Sequence, residues 1–361
     1  MRTVRPLHLT LLSSLRPRAA GDLARAFTGA SVDVADSVAE IGSDLPDESP
    51  VADIPADSAA FAADLIDDLL SQVDHGLSGD IVVHLPSRAD PLEVGLVVGA
   101  VCDAREPDEA PVLVRDIVTV VSLLDVRAWL FAERDEDPAR PDYDTAERLA
   151  AQIEYATLLV VTDTGGVSPS LLNETLGLLR RLNVVARIVP VERATQARRP
   201  AAAVVPGAAA LLAQNLGWQR ELSDGNLLGR ASTGIDAVVF REPLPFHPGR
   251  LAEAVAAEFG QQPRSILRSR GLARLASRPF AVGSWASAGD VFSLDPTSID
   301  SWDSDVPLGQ ELVFYGRDLD AAALTDELGR CLLTPDELLG GPMLWARFDD
   351  PLPAWELPHR H

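Results

Sequence analysis

Along the first part of the chain, short β-branched and leucine-rich runs alternate with stretches in which apolar residues recur every three to four positions. The runs Leu7–Leu12, Ile81–Leu85, Ile117–Val121, Leu158–Val161 and Arg187–Val191 predict strands. Between them, Ser58–Val73 places Phe61, Leu65, Ile66, Leu69 and Leu70 on one helical face, and Tyr143–Ile153 and Pro169–Leu182 read the same way. Strands separated by helices predict a mostly parallel sheet with crossover helices. Gly42–Asp57, rich in Pro, Asp and Ser, and the charged Glu133–Asp142 read as loops.

The pattern changes beyond Arg193–Pro206, which reads as the way out of the first domain. A strand at Ile235–Arg241, a helix at Pro248–Phe259, strands at Ser265–Leu275 and Glu311–Tyr315 and a helix at Ala321–Leu332 predict a smaller α+β domain. The expected boundaries are a first domain over 1–200, a linker over 201–233, a second domain over 234–339 and a Pro- and Trp-rich tail over 340–361 that wraps the body or binds a partner.

Composition narrows the chemistry. All 31 basic residues are arginine, which excludes any mechanism built on a lysine, whether a Schiff base or a phosphate-loop ammonium. The two cysteines, Cys102 and Cys331, lie far apart with no local Cys or His cluster, so neither a disulfide scaffold nor a local zinc site is expected. The basic, apolar N-terminus is interrupted by His8, Arg16 and Arg18 and reads as a buried strand rather than a signal peptide. No run approaches the roughly 18 apolar residues of a membrane span.

The net charge of −23 is unevenly distributed. From Ala26 to Ser87 there are thirteen acids and no arginine, whereas Arg180, Arg181, Arg187, Arg193, Arg198 and Arg199 crowd twenty residues beside the single acid Glu192. Arg264, Arg268, Arg270, Arg274 and Arg278 lie in a stretch with no acid at all. Two readings stand side by side: these arginines pair with acidic groups of the same chain, or they form a phosphate-facing patch on an acidic body, as for a protein that docks on RNA.

Several motifs carry a resemblance to CobW-type GTPases and metallochaperones. FHPGRL (Phe246–Leu251), SILRSRGLARLASRP (Ser265–Pro279), QELVFYGRDLD (Gln310–Asp320) and CLLTPDEL (Cys331–Leu338) resemble the family's C-terminal domain. ADPLEV (Ala89–Val94), QIEYA (Gln152–Ala156) and RRLNVVARIV (Arg180–Val189) are similar to its GTPase domain. The fold class so implied is α/β, a P-loop-GTPase-like, mostly parallel sheet followed by a smaller α+β CobW C-terminal domain.

The nucleotide elements depart from that family. Its glycine-rich loop falls on Ser13–Leu23, with loop glycines at Ser14, Pro17 and Ala19, the phosphate lysine at Ala20 and the magnesium hydroxyl at Gly21. Pro17 removes an N–H donor, and Arg16 and Arg18 do not reproduce the lysine's geometry. The family's magnesium-associated acid corresponds to His84, and its guanine-reading Asn-Lys-x-Asp to Thr162, Asp163 and Gly165. Asp90 and Pro91 keep a turn to which a structural role is assigned. The vestigial nucleotide site is thus Ser14, Arg16, Arg18, Ala20, Gly21, His84, Asp90, Thr162 and Asp163, with GTP and magnesium binding weak or absent and no catalytic residue. The family's zinc-handling cysteines would fall in the cysteine-free loop Gly42–Asp57, so no zinc site is expected. His247 in the FHP motif reads as packing or capping.

The arginine-rich, lysine-free make-up, degenerate loop and Trp/Pro tail further resemble an actinobacterial branch of the family, the ribosome hibernation factor-recruiting GTPases. That resemblance implies a cytoplasmic protein, with neither membrane nor DNA as partner. It would contact the small ribosomal subunit and help deliver a hibernation factor, with zinc status as the regulatory context. Arg180, Arg181, Arg264, Arg268, Arg270 and Arg274 are the contact candidates. A zinc metallochaperone GTPase and a ribosome-independent scaffold are the alternatives.

Overall fold

The computed structural model describes residues 6–28, 58–86, 89–103, 111–133, 143–204, 217–224, 234–260, 265–300 and 309–355. Two compact units are assembled from interleaved stretches of these: the described parts of 1–126, 148–172 and 182–217 form the first, and those of 127–147, 173–181 and 218–361 the second.

The first unit is built on a five-stranded parallel sheet in the order β2-β1-β3-β4-β5. Its strands are β1 (Leu7–Ser14), β2 (Gly79–His84), β3 (Val112–Ser122), β4 (Leu158–Thr162) and β5 (Arg187–Pro190). Between these strands in sequence run α1 (Pro17–Thr28), α2 (Ser58–Asp74), α3 (Pro91–Asp103), α4 (Leu123–Trp129), α5 (Tyr143–Glu154) and α6 (Pro169–Leu182), of which residues 127–129, 143–147 and 173–181 belong to the second unit. Strands buried on both faces explain the near-continuous apolar runs. Leu7, Leu9 and Leu11 of β1 pack with Leu65, Ile66 and Leu69 of α2 and with Val94 and Val98 of α3. Leu12, on the opposite face of the strand, packs with Leu23 and Phe27 of α1. Each such leucine contributes about 1.5–3 kcal/mol on burial. A register shift between Leu9 and Thr10 passes over Arg115 of β3, which explains why Val114 and Ile117, three apart, both join the α2/α3 face.

Two of the motifs meet in one device. The Asn183 amide donates to the carbonyls of Ile153 (2.8 Å) and Ala156 (2.8 Å), and its carbonyl accepts from the N–H of Ala186 (2.8 Å). RRLN and QIEYA therefore work as a pair, because one asparagine ties the end of α5 to the start of β5.

The second unit contains an antiparallel sheet in the order β6-β10-β7-β8-β9, formed by Ile235–Glu242 (β6), Ile266–Ala273 (β7), Ala281–Ala288 (β8), Val291–Asp300 (β9) and Gln310–Arg317 (β10). Helix α7 (Ala194–Ala197) follows β5 in the first unit, α8 (Gly217–Asp224) precedes β6, α9 (Pro248–Gly260) falls between β6 and β7, and α10 (Ala321–Cys331) follows β10. The core gathers Phe240, Phe246, Leu251, Leu312, Phe314 and Leu328 around Trp285. The Trp285 indole N–H donates to Ser269 Oγ at 2.8 Å, which satisfies its one buried polar group. At Gly271, where φ is +156°, a Cβ would lie 2.0 Å from the Glu311 carbonyl oxygen, so only glycine lets β7 and β10 pair there.

After α11 (Pro335–Gly340) and α12 (Pro342–Trp345), the tail wraps this unit. Trp355 donates to Leu294 O at 2.7 Å, Arg278 lies 4.4 Å over its ring, and Arg278 Nε donates to Asp350 at 2.8 Å. Among the described residues, no helix is long and apolar enough to cross a membrane.

Candidate functional site

In an open parallel sheet, ligands bind outside the carboxyl ends of the strands where the order reverses, which here is between β1 and β3. Ser13 and Ser14 end β1, Ser122 ends β3, and Asp163 follows Thr162 at the end of β4. Only Leu15 and Arg16 separate β1 from α1. Where the family's phosphate-cradling loop aligns with Ser13–Leu23, this chain has only a two-residue junction. Pro17 opens a helix, its fixed φ suiting the first helical position, and the chain has already turned where the loop would circle a phosphate.

The junction's polar groups are committed to protein partners. Ser14 Oγ donates to Val120 O (3.1 Å) and accepts from the Arg16 N–H (3.0 Å), while the N–H groups of Ala19 and Ala20 reach Arg16 O at 3.1 and 3.4 Å. The Arg16 guanidinium makes a two-pronged pair with Asp125 in the first turn of α4, Nε at 2.8 Å and Nη2 at 2.7 Å. That hydrogen-bonded pair raises the Arg16 pKa against the opposing effect of burial, and Asp163 adds to the rise. Asp163 in turn accepts from Ser122 Oγ, and holds a left-handed φ of 56°. Asp125 and Ser122 carried no sequence signal as site residues. Each is one more polar residue near the end of an apolar strand, and only strand pairing brings them to Arg16 and Asp163.

One guanidinium facing two carboxylates leaves this crevice net negative. A nucleotide phosphate would have to displace Asp125 from Arg16 and then meet both acids, with no ammonium to offset them. At Gly21, the magnesium-hydroxyl position, a Cβ would meet nothing within 4 Å, so the backbone is not pressed against a neighbour there. Ala20 is buried in the core beneath α1, and Arg18 is exposed on it. His84 is half-buried, and burial pulls its pKa down, favouring a neutral ring. Asp90 caps α3: its Oδ1 accepts from the N–H of Leu92 (2.8 Å) and Glu93 (3.2 Å). These residues do not fit GTP with magnesium.

The arginine segments divide sharply. Arg181 is buried against an equally buried Glu221, Nη1 to Oε1 2.9 Å. Arg268 is fully buried, donates to Ser287 O at 3.1 Å and pairs with Glu147, which also holds Arg270 at 2.9 Å. Arg181 and Arg268 are therefore corrected from surface contacts to internal pairs, since a guanidinium taken out of water is stable only beside a carboxylate, while Arg270 is one-fifth exposed and shares Glu147. Arg274 is half-buried, and burial lowers its pKa. Arg198 reaches Thr10 Oγ1 at 2.9 Å and covers the Phe27 ring at 4.8 Å. Arg264 lies outside the described residues. Arg180, Arg187 and Arg193 remain exposed, Arg187 with Asp116 at 3.5 Å.

Cys331 is buried, and burial pushes its thiol up to about 11, so it stays protonated near neutral pH and is a poor metal ligand. Among the described residues, no three His, Cys, Asp or Glu side chains converge on a metal position. His247 does cap α9, its Nδ1 accepting the Arg250 N–H at 3.4 Å, and its ring lies 4.7 Å from Phe348. Arg250 holds the Glu337 carboxyl at about 2 and donates to Leu332 O at 2.8 Å, so FHPGRL and CLLTPDEL are two halves of one polar clamp.

A parallel α/β unit, with a short strand–helix junction at the switch point of its sheet, and an antiparallel α+β unit make up the described residues. Residues 235–332 match the family described as the cobalamin synthesis protein cobW C-terminal domain, and the second unit carries that domain. Zinc-regulated GTPase metalloprotein activator 1 of Dictyostelium discoideum is 26% identical over 273 residues, covering 65% of this chain and 56% of that protein. The chain thus spans a little over half the length of that relative. The crystal structure of Zn(II)-bound YjiA GTPase from E. coli aligns over 91% of this chain and 100% of its own, with 14% identity and a TM-score of 0.35.

Proposed function

We propose that this protein is a CobW-type GTPase-like factor that no longer uses nucleotide and acts by docking. In this reading it associates with the small ribosomal subunit and brings a hibernation factor there in response to zinc status. The observation that carries the loss of nucleotide is the two-residue junction closed by Arg16 on Asp125. The ribosomal part rests on the resemblance to the hibernation factor-recruiting branch and on arginines still exposed to solvent, Arg180, Arg187 and Arg193. Arg268, fully buried, has no part in that contact.

Sucrose-gradient sedimentation from zinc-replete and zinc-depleted cells tests the reading. The protein is expected to migrate with the small subunit or whole ribosome. Arg180→Glu and Arg193→Glu are expected to move it toward the top of the gradient and to reduce the salt slope by about one unit for each phosphate no longer neutralised. Protein confined to the top of the gradient in both conditions would overturn the proposal.

A second reading is favoured by one observation, the similarity to a zinc-regulated GTPase metalloprotein activator. A metal-delivering GTPase requires bound nucleotide, so stoichiometric GTP binding separates it from the first.

A further inference from the structure

Ten large apolar side chains are exposed among the described residues, and four of them fall within seven consecutive positions: Leu338 (38%), Leu339 (86%), Met343 (76%) and Leu344 (51%). They sit on α11 and α12, two short helices joined at Gly341, whose φ of 71° makes the turn. The pair is held firmly from beneath. Thr334 and Glu337 form a capping box, Arg250 grips Glu337, and the Trp345 indole donates to Glu337 O at 2.6 Å. A fixed scaffold that holds leucine and methionine in solvent is what an interaction site presents, and unbranched methionine adapts to a partner's shape.

The charge around this patch indicates its occupant. Glu337 and Asp350 are turned inward to Arg250 and Arg278. Asp336 and Asp349 are exposed with no ion-pair partner among the described residues, and Arg347 is the only exposed cation between Thr334 and Asp350. Two exposed acids against one arginine, on an acidic chain, suit an amphipathic helix with basic flanks, and a chain of net charge −23 repels a second copy of itself.

We infer that α11 and α12 form a docking face for a cationic amphipathic helix of a partner protein. This face is independent of the nucleotide crevice and of what the crevice binds. The test is fluorescence anisotropy of a labelled leucine–lysine amphipathic peptide titrated with the full chain, alongside a leucine–glutamate peptide of the same pattern. The expected result is saturable binding of the basic peptide only, weakened roughly tenfold or more by Leu339→Asp or Met343→Asp and by a smaller factor by Asp336→Asn. Both apolar positions are solvent-exposed, so the variants are expected to unfold at the wild-type denaturant midpoint. Equal binding to wild type and both apolar variants would overturn the inference, as would equal binding of the acidic peptide. A concentration-dependent dimer abolished by Leu339→Asp would also overturn it, assigning the face to a second copy instead.

Discussion

Replacing Glu147 with alanine is expected to destabilise the second unit by about 3–5 kcal/mol, measured as a lowered denaturant midpoint. Arg268 has no exposed surface, and its charge is balanced by the Glu147 carboxylate and the Ser287 carbonyl. Removing the carboxylate leaves a buried cation without its counter-ion and also releases Arg270. Glu147→Gln keeps the shape and loses the charge, and should recover only a minor part of the loss. The same pair carries a pH dependence. Burial alone would raise the Glu147 pKa, but the attraction of Arg268 and Arg270 outweighs it and the pKa is lowered. Its contribution is therefore fully present above the unfolded carboxyl value of about 4.3 and is lost as pH falls through the lower folded value. Wild type should lose stability in this acid range more steeply than Glu147→Gln. A wild-type midpoint for Glu147→Ala would contradict the burial of Arg268.

Glu221→Ala is the second large effect, again about 3–5 kcal/mol, because Arg181 and Glu221 are each only 1% exposed. Glu221 lies on α8 and Arg181 on α6, both within the second unit, so the pair fastens a short helix that has little apolar surface of its own. The double variant Arg181→Met with Glu221→Leu should recover most of the loss, since similar volume is kept and no buried charge remains. If the single and double variants lose equal stability, the cost lies in packing rather than in an orphaned charge.

Both pairs show where sequence reading stops. A run of arginines without nearby acids has the same appearance whether it faces RNA or a carboxylate far along the chain, and Glu147 precedes Arg268 by 121 residues. In the β5 region Arg187 and Arg193 stay at the surface, Arg187 beside Asp116 at 3.5 Å. Strands of the parallel sheet were legible because burial on both faces demands continuous apolar runs. By contrast, β8, reading AVGSWASA, and β9, containing Pro296, escaped: small residues and a proline carry little strand signal. Proline is tolerated because β9 is an edge strand of the sheet. Helix α8, whose turns lie inside the expected linker, was equally silent.

In the crevice, the absences were legible and the replacement was not. The missing lysine, glycines and Asn-Lys-x-Asp can be read directly from Ser13–Leu23 and Thr162–Gly165. That Arg16 would turn onto Asp125, rather than offer its charge to a phosphate, depends on the pairing of β1 with β3 and on α4 starting immediately after β3. The stretch that aligns with a phosphate cradle instead starts a helix, because Pro17 favours the first helical turn.

A crevice closed by its own residues should not take nucleotide. Calorimetric titration of the full-length protein with GTP and magnesium tests this most directly. No saturable binding is expected up to about 1 mM, the range of a very weak ligand. One GTP bound per chain at micromolar affinity, with release of Arg16 from Asp125, would contradict the closure and favour the metal-delivering GTPase.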